Sequence, residues 1–272
     1  MPELPEVESF RKYIEDHALH QQIQSVKTSM PTQMLVDTSK RKLREVLEGN
    51  TLVDTFRHGK FLFIALKLHG SLMLHFGMTG DLMYLKEGKA EHPFVLGLHF
   101  HNGHTLVFSD SRMLGKIALV EDVDKFIQRK GYGPDALLVL EDVFLKLLSK
   151  RKTAIKAALM NQKIIAGVGN EFSDAILFQC RIHPLSSVNA LKKEQLEEIY
   201  HMMKGILKEA VKVNADREKL NHYFLLNERK AGLTCVRCKG KTEWLTIGGR
   251  SSYFCPSCQE LLFIQKYSTF FI

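Results

Sequence analysis

The sequence lacks the features that would place it in a membrane, in a secreted disulfide scaffold or in a disordered class. No run approaches the eighteen apolar residues of a membrane-spanning helix, so the 45% hydrophobic content is available for folded cores. Cysteine is scarce, five in 272 residues, and an odd number cannot all pair within one chain. No signal-peptide pattern, targeting segment or low-complexity linker is found, which points to a reducing compartment. Negative charge is the minority: 30 acidic against 38 basic residues leave a formal net charge of +8. Such an excess suits a polyanionic partner, although many proteins that touch no nucleic acid share it. The length fits two domains, or one with an appended module.

Four of the five cysteines are arranged with purpose. Cys235-Val-Arg-Cys238 and Cys255-Pro-Ser-Cys258 are two C-x2-C pairs with sixteen residues between them. That is the spacing of a structural zinc site with four thiolate ligands. Cys180 is left over and reads as a reduced, buried thiol.

The opening octapeptide, Met-Pro-Glu-Leu-Pro-Glu-Val-Glu, places a proline directly after the initiator methionine. With Met1 removed, Pro2 becomes a secondary amine beside the Glu3 carboxylate. An α-amino group titrates near 7.7–8.0, so a useful fraction is nucleophilic at neutral pH. Amines of this kind form Schiff bases and need a neighbouring group to move protons. A helix-starting proline at an unremarkable terminus is the alternative reading of the octapeptide alone.

Both ends together, with six further motifs in order, resemble the bacterial formamidopyrimidine-DNA glycosylase / endonuclease VIII family, and its formamidopyrimidine branch most closely. The motifs are Arg57-His-Gly-Lys60, His75-Phe-Gly-Met78-Thr-Gly80, Asp110-Ser-Arg112-Met-Leu114-Gly115, Gly133-Pro-Asp-Ala-Leu137, Ile165-Ala-Gly-Val-Gly-Asn170 and Gly249-Arg250-Ser-Ser-Tyr-Phe-Cys255-Pro. They run from the first residue to Cys258.

Local texture supports a division near residues 130–137. Glu6 to about His20 carries Phe10, Tyr13, Ile14 and His17 at helical spacing. From Gln22 to about Val120 the chain shows short apolar runs, at 61–68, 72–76, 94–101, 105–108 and 117–120, with a helical insert at 39–47. His101-Asn-Gly-His104 is a hairpin signal. After Gly131-Tyr-Gly-Pro134, segments 141–149, 153–160, 171–180 and 192–212 read as helices. The resemblance implies an α+β multidomain chain: an N-terminal β-sandwich with flanking helices (1–130), a helical helix–two-turn–helix domain (131–226) and a four-cysteine zinc finger with an apolar tail (227–272). DNA would lie in the cleft between the halves.

The same resemblance implies a bifunctional DNA glycosylase and AP lyase of base-excision repair, acting on oxidised bases. Pro2 would attack the sugar, Glu3 would shuttle protons through β,δ-elimination, Glu6 would support them and Lys60 would be the catalytic lysine. Met78, Arg112 and Leu114 would fill the space left by a displaced base. Lys156, Asn170 and Arg250 would hold phosphates; with Lys60, the two basic residues would give a log–log salt slope of roughly −2.7 at about −0.9 per contact. Cys235, Cys238, Cys255 and Cys258 would bind structural Zn2+. The implied partner is double-stranded DNA with damaged bases or abasic sites, met as a monomer in a bacterial cytoplasm and nucleoid, with no membrane. A non-catalytic, zinc-containing DNA-damage binder of the same fold is the rival reading.

The chain departs from the family pattern at four places. Leu114 stands where an aromatic is usual, and Met113 replaces an arginine. Ala175 occupies the place of a family glutamate, with Asp174 beside it. The 213–226 stretch is short and lacks a glycine-rich lead-in, which leaves the preferred lesion open. The tail after Cys258 is rich in large apolar residues and should pack on the finger or dock a partner.

Overall fold

The computed structural model describes residues 1–86, 94–149 and 151–263, in two compact units, Met1–Gly131 and Tyr132–Ile272. In the first unit, helix α1 (Leu4–His17) begins two residues before the apolar periodicity does. The Glu3 amide donates to Glu6 Oε2 at 3.0 Å, and Pro5 sits in the first turn, where its missing N–H costs nothing. The helix ends before residue 20 because His20 takes a left-handed φ of 62°. Leu4, Val7 and Ile14 form its buried stripe, which packs on strands β2 (Leu52–His58) and β3 (Phe61–Leu66).

Two antiparallel four-stranded sheets follow. One has the order β1-β6-β7-β5, with β1 (Ile23–Thr28), β5 (Gly80–Lys86), β6 (Leu96–Phe100) and β7 (His104–Asp110). The other has the order β2-β3-β4-β8, completed by β4 (Ser71–His75) and β8 (Lys116–Val120). Residues of both sheets, among them Val26, Leu62, Ile64, Leu72, Leu98 and Leu106, share one buried core with Leu43 and Leu47 of helix α2 (Lys40–Leu47). This is the β-sandwich with flanking helices that the sequence implied. The β6–β7 turn uses Gly103 at φ 75°, as the Asn-Gly signal required. A further helix, α3 (Val123–Lys130), closes the unit. Asp122 caps it by accepting from the Lys125 amide at 3.0 Å, and Gly131 ends it at φ 67°.

The second unit is organised around α6 (Asn170–Gln179), in which every residue from Phe172 to Phe178 is buried. It contacts α5 (Ile155–Met160), α7 (Lys193–Lys212), α8 (Phe224–Asn227) and the zinc-finger strand β10 (Arg250–Phe254); α4 (Glu141–Leu148) packs on α7. Strands β9 (Glu243–Ile247) and β10 form an antiparallel hairpin. The short 213–226 stretch folds as a packed cap rather than an open loop: Leu220, Phe224, Leu225 and Leu226 are all buried. Cys180 is buried, and burial raises its thiol pKa.

Most of the apolar tail, residues 264–272, lies outside the described residues. Up to Leu262 the chain is tied down. The His183 amide donates to the Glu260 carbonyl at 2.8 Å, and the Ser187 amide to the Leu262 carbonyl at 2.9 Å. No helix among the described residues is long and apolar enough to cross a membrane.

Candidate functional site

In the first unit, Glu3 is buried at the start of α1, directly after Pro2. Five residues on, about 7.5 Å along the helix axis, Glu8 Oε2 accepts from Arg57 Nε at 2.8 Å. Arg57 is the penultimate residue of β2 and also donates to the Gly59 carbonyl at 3.1 Å. Gly59 turns the chain at φ 56°, and Lys60 follows it. The nearly buried Glu8–Arg57 pair therefore ties the first turns of α1 to the turn that carries Lys60. Desolvation makes such a pair a positioning device more than a source of stability.

His75 was not singled out from the sequence, although it opens one of the motifs. Its ring lies 4.9 Å from that of Phe61, and the Gly77 amide donates to Nδ1 at 3.3 Å. That contact keeps the proton on Nε2 in the neutral imidazole. Burial pushes its pKa down to about 4, aided by the positive charges of Lys60 and Lys116 against the opposing pull of Asp110. At neutral pH it is an uncharged N–H donor beside the Lys60 charge.

Met78 and Leu114, 39% and 45% exposed, project from two adjoining loops, with Arg112 and Met113 exposed beside them. Clustered exposed apolar side chains on a basic surface are a feature of interaction sites. These three predicted positions, Met78, Arg112 and Leu114, are thus brought together.

In the second unit, the 166–169 turn leads into α6. The Ala136 amide donates to the Ala166 carbonyl at 2.8 Å, and the Gly167 amide to Gln162 Oε1 at 2.9 Å. Gly133 is required here, because a Cβ would lie 2.3 Å from the Ile164 carbonyl oxygen. Asn170, the first helical residue, keeps a buried Oδ1 without a hydrogen-bond partner. A helix N-terminus with an adjustable amide side chain is suited to a phosphate. Arg229, also missed from the sequence, braces this corner. It donates to the Asn170 carbonyl at 3.0 Å and the Ser251 carbonyl at 3.1 Å, and pairs with Asp174 at 2.9 Å. No motif surrounds Arg229 that could have announced it. Glu171 pairs with Arg217 at 2.9 Å, which joins α6 to the 213–226 cap.

Lys156 is not where a phosphate ligand must be. Its side chain is 0% exposed, and Nζ donates to Asp174 Oδ1 at 2.5 Å. Asp174 also accepts from Ser252 Oγ at 2.9 Å and the Tyr253 amide at 3.1 Å. With Arg229, four donors fill the lone pairs of one carboxylate. Asp174 is therefore a structural hub joining α5, α6 and β10, and it has no capacity left to stand in for the family glutamate. Ala175, at that glutamate's position, is buried in the helix packing.

Arg250 is exposed at the tip of the finger hairpin, after Gly248 and Gly249 at φ 56° and 73°. Behind the hairpin the four cysteine Sγ atoms all lie within 4.8 Å of one another; Cys235–Cys258 is 3.7 Å and Cys238–Cys255 is 3.5 Å. A tetrahedron with Zn–S bonds of about 2.3 Å needs S–S edges of about 3.8 Å. The donor set and its spacing fit a structural zinc ion, with no open position for catalysis. Hydrogen bonding from the Gly240 amide lowers Cys238 to about 7, whereas desolvation raises Cys255 and Cys258, so an ion bound here must displace protons from that pair.

Comparison with known proteins agrees along most of the chain. The profile of the formamidopyrimidine-DNA glycosylase N-terminal domain matches residues 1–117, that of the formamidopyrimidine-DNA glycosylase H2TH domain matches 132–221, and that of a zinc finger found in FPG and IleRS matches 232–261. A formamidopyrimidine-DNA glycosylase of Arabidopsis thaliana is 32% identical over 96% of this chain and 71% of its own length. One from Protochlamydia amoebophila is 30% identical over 96% of this chain and all of its own.

The chain belongs to the formamidopyrimidine-DNA glycosylase family. Among solved structures, the Lactococcus lactis formamidopyrimidine-DNA glycosylase bound to DNA containing an AP site superposes with a TM-score of 0.88, at 28% identity, over 95% of this chain and 100% of that one. The same L. lactis enzyme with DNA containing Fapy-dG gives 0.87. The family resemblance read from the motifs therefore holds for fold as well as sequence.

Proposed function

We propose that this chain is a base-excision-repair DNA glycosylase with AP-lyase activity that works on duplex DNA carrying damaged bases or abasic sites. The observation that carries this reading is the end-to-end family match, with Pro2 immediately ahead of a buried Glu3 at the start of α1. Once Met1 is removed, the Pro2 nitrogen donates its lone pair to the sugar C1′. The glycosidic bond breaks toward the base, which leaves with a proton. Glu3 passes a proton to O4′ as the C1′–O4′ bond breaks, and the opened ring is an iminium, an electron sink that acidifies the neighbouring C2′ hydrogen. Glu3 removes that proton, and elimination expels the 3′ phosphate; a second elimination expels the 5′ phosphate. Glu6 holds the Glu3 main chain in place for these steps.

Lys60, presented by the Arg57-braced turn, supplies positive charge to the leaving base or a flanking phosphate. Met78, Arg112 and Leu114 occupy the gap in the stack, and Asn170 and Arg250 receive phosphates. The zinc ion holds the finger that presents Arg250. The protein acts as a monomer in a bacterial cytoplasm, where its chromosomal substrate is found. Its organisation is read as catalytic sandwich, helical DNA-binding segment and finger.

Borohydride reduction tests the proposal. Wild-type protein incubated with an abasic-site duplex should form a covalent adduct through Pro2. A panel of formamidopyrimidine, 8-oxoguanine and oxidised-pyrimidine duplexes then ranks the lesions. Absence of any adduct would leave a DNA-damage binder without turnover.

A further inference from the structure

We infer that Asp110 is a positioning residue that staples the two base-displacing loops into one projecting unit, and that this staple governs work on an intact lesion far more than work on a pre-formed abasic site. The inference rests on the glycosylase reading above. Asp110 ends β7 and is buried. Its Oδ1 accepts from Thr79 Oγ1 at 2.5 Å, in the loop that carries Met78. The same oxygen accepts from the Arg112 amide at 3.3 Å, and Oδ2 accepts from the Gly115 amide at 2.6 Å, in the loop that carries Arg112 and Leu114. The Arg112 amide also reaches Thr79 Oγ1 at 3.1 Å, so the hydroxyl donates to one loop's anchor and accepts from the other loop.

Backbone packing locks the arrangement. Gly77 adopts φ 57°, and a Cβ there would lie 2.6 Å from the Gly115 nitrogen and 2.7 Å from the Leu114 carbonyl carbon. A Cβ on Gly115 would lie 2.8 Å from the His75 carbonyl oxygen. The two loops therefore touch main chain to main chain. Met113 takes a left-handed φ of 52°, a conformation that a non-glycine residue holds only where its surroundings impose it. Its amide is returned to the Asp110 carbonyl at 3.1 Å. One carboxylate thus fixes the bases of Met78, Arg112 and Leu114 together.

A wedge needs this. Pushing a base out of the stack costs a few kcal/mol, and a loop that yields instead of the DNA loses that work. An abasic site has no base to displace, so its cleavage depends less on the wedge.

The test uses full-length, zinc-loaded Asp110→Asn and Thr79→Val. Single-turnover excision of a formamidopyrimidine base from duplex DNA should fall on the order of 10- to 100-fold, the scale expected when a reacting assembly is misplaced by about 1 Å. Borohydride trapping on a matched abasic-site duplex should change far less than excision does. The fluorescence rise of 2-aminopurine placed beside the lesion should shrink in step with excision. Equal losses on both DNAs, or no loss on either, with the variants folded as judged by melting, would overturn the staple. If Asp110→Asn does not fold, Thr79→Val decides, because it removes one hydroxyl and no charge. Wild-type protein that traps neither DNA would overturn the glycosylase reading, and this inference with it.

Discussion

Replacing Lys156 by methionine separates two roles that a lysine in this motif can have. A phosphate ligand removed from the protein lowers the salt dependence of DNA binding by about 0.9 in the log–log slope. A buried ion-pair partner removed from the protein destabilises it and leaves that slope alone. The structure favours the second outcome, because Lys156 has no exposed atom and its ammonium is spent on Asp174. Breaking a buried pair from one side costs roughly 3–5 kcal/mol. Here Arg229, Ser252 and the Tyr253 amide still satisfy Asp174, so the lower end, about 3 kcal/mol, is expected. For a unit of this size that is a fall of roughly 6–15 °C in Tm. Binding of a labelled abasic-analogue duplex should be followed by anisotropy between about 50 and 200 mM salt, beside thermal unfolding, with Arg250→Gln as the comparison. Arg250→Gln should flatten the slope by about one and leave Tm unchanged. A flatter slope with unaltered melting in Lys156→Met would refute the reasoning and restore Lys156 as a phosphate contact.

Other outcomes follow from the same geometry. Protein that retains Met1, or carries an N-terminal tag, should form no borohydride adduct while still binding damaged DNA; adduct formation by a blocked terminus would remove Pro2 from the chemistry. Folding lowers the His75 pKa from about 6.5 to about 4, so the stability linked to this group is complete above about 6.5 and is lost as pH falls toward 4. His75→Gln should therefore flatten the stability profile across that window, as read by urea unfolding; an unchanged profile would contradict the assignment. Chelation of zinc should unfold the finger and weaken DNA binding. Trp244, the single tryptophan, lies exposed on β9 and offers an emission signal for that step. Full affinity in metal-free protein would deny zinc its structural part.

Much of the fold was legible because its signals are local. The Asn-Gly hairpin, the apolar strand runs and the helical periodicities at 141–149 and 192–212 each state their structure within a few residues. Helix α3 was not legible: of its eight residues only Phe126 is buried, so it has no apolar stripe to read. Strands β9 and β10 are only five residues each, and only the cysteine spacing hinted at a hairpin. Among the site residues, Met78, Arg112 and Leu114 sit on two loops that touch. Lys156 misled because its partner lies eighteen residues away, across the α5–α6 turn, and burial is a tertiary property. Arg229 lies in no motif, and Asp110 opens one without showing its role, for the same reason. Their meaning resides in which main-chain groups surround them.

The Asp174 carboxylate has a consequence for modularity. The zinc finger looks like a detachable cassette, a hairpin closed by its own metal. Yet two of its hydroxyl and amide groups, and Arg229 just ahead of it, complete the coordination of an acid rooted in the neighbouring helix. A finger transplanted from a relative would bring its zinc but leave that acid short of donors, unless the equivalents of Arg229 and Ser252 travelled with it.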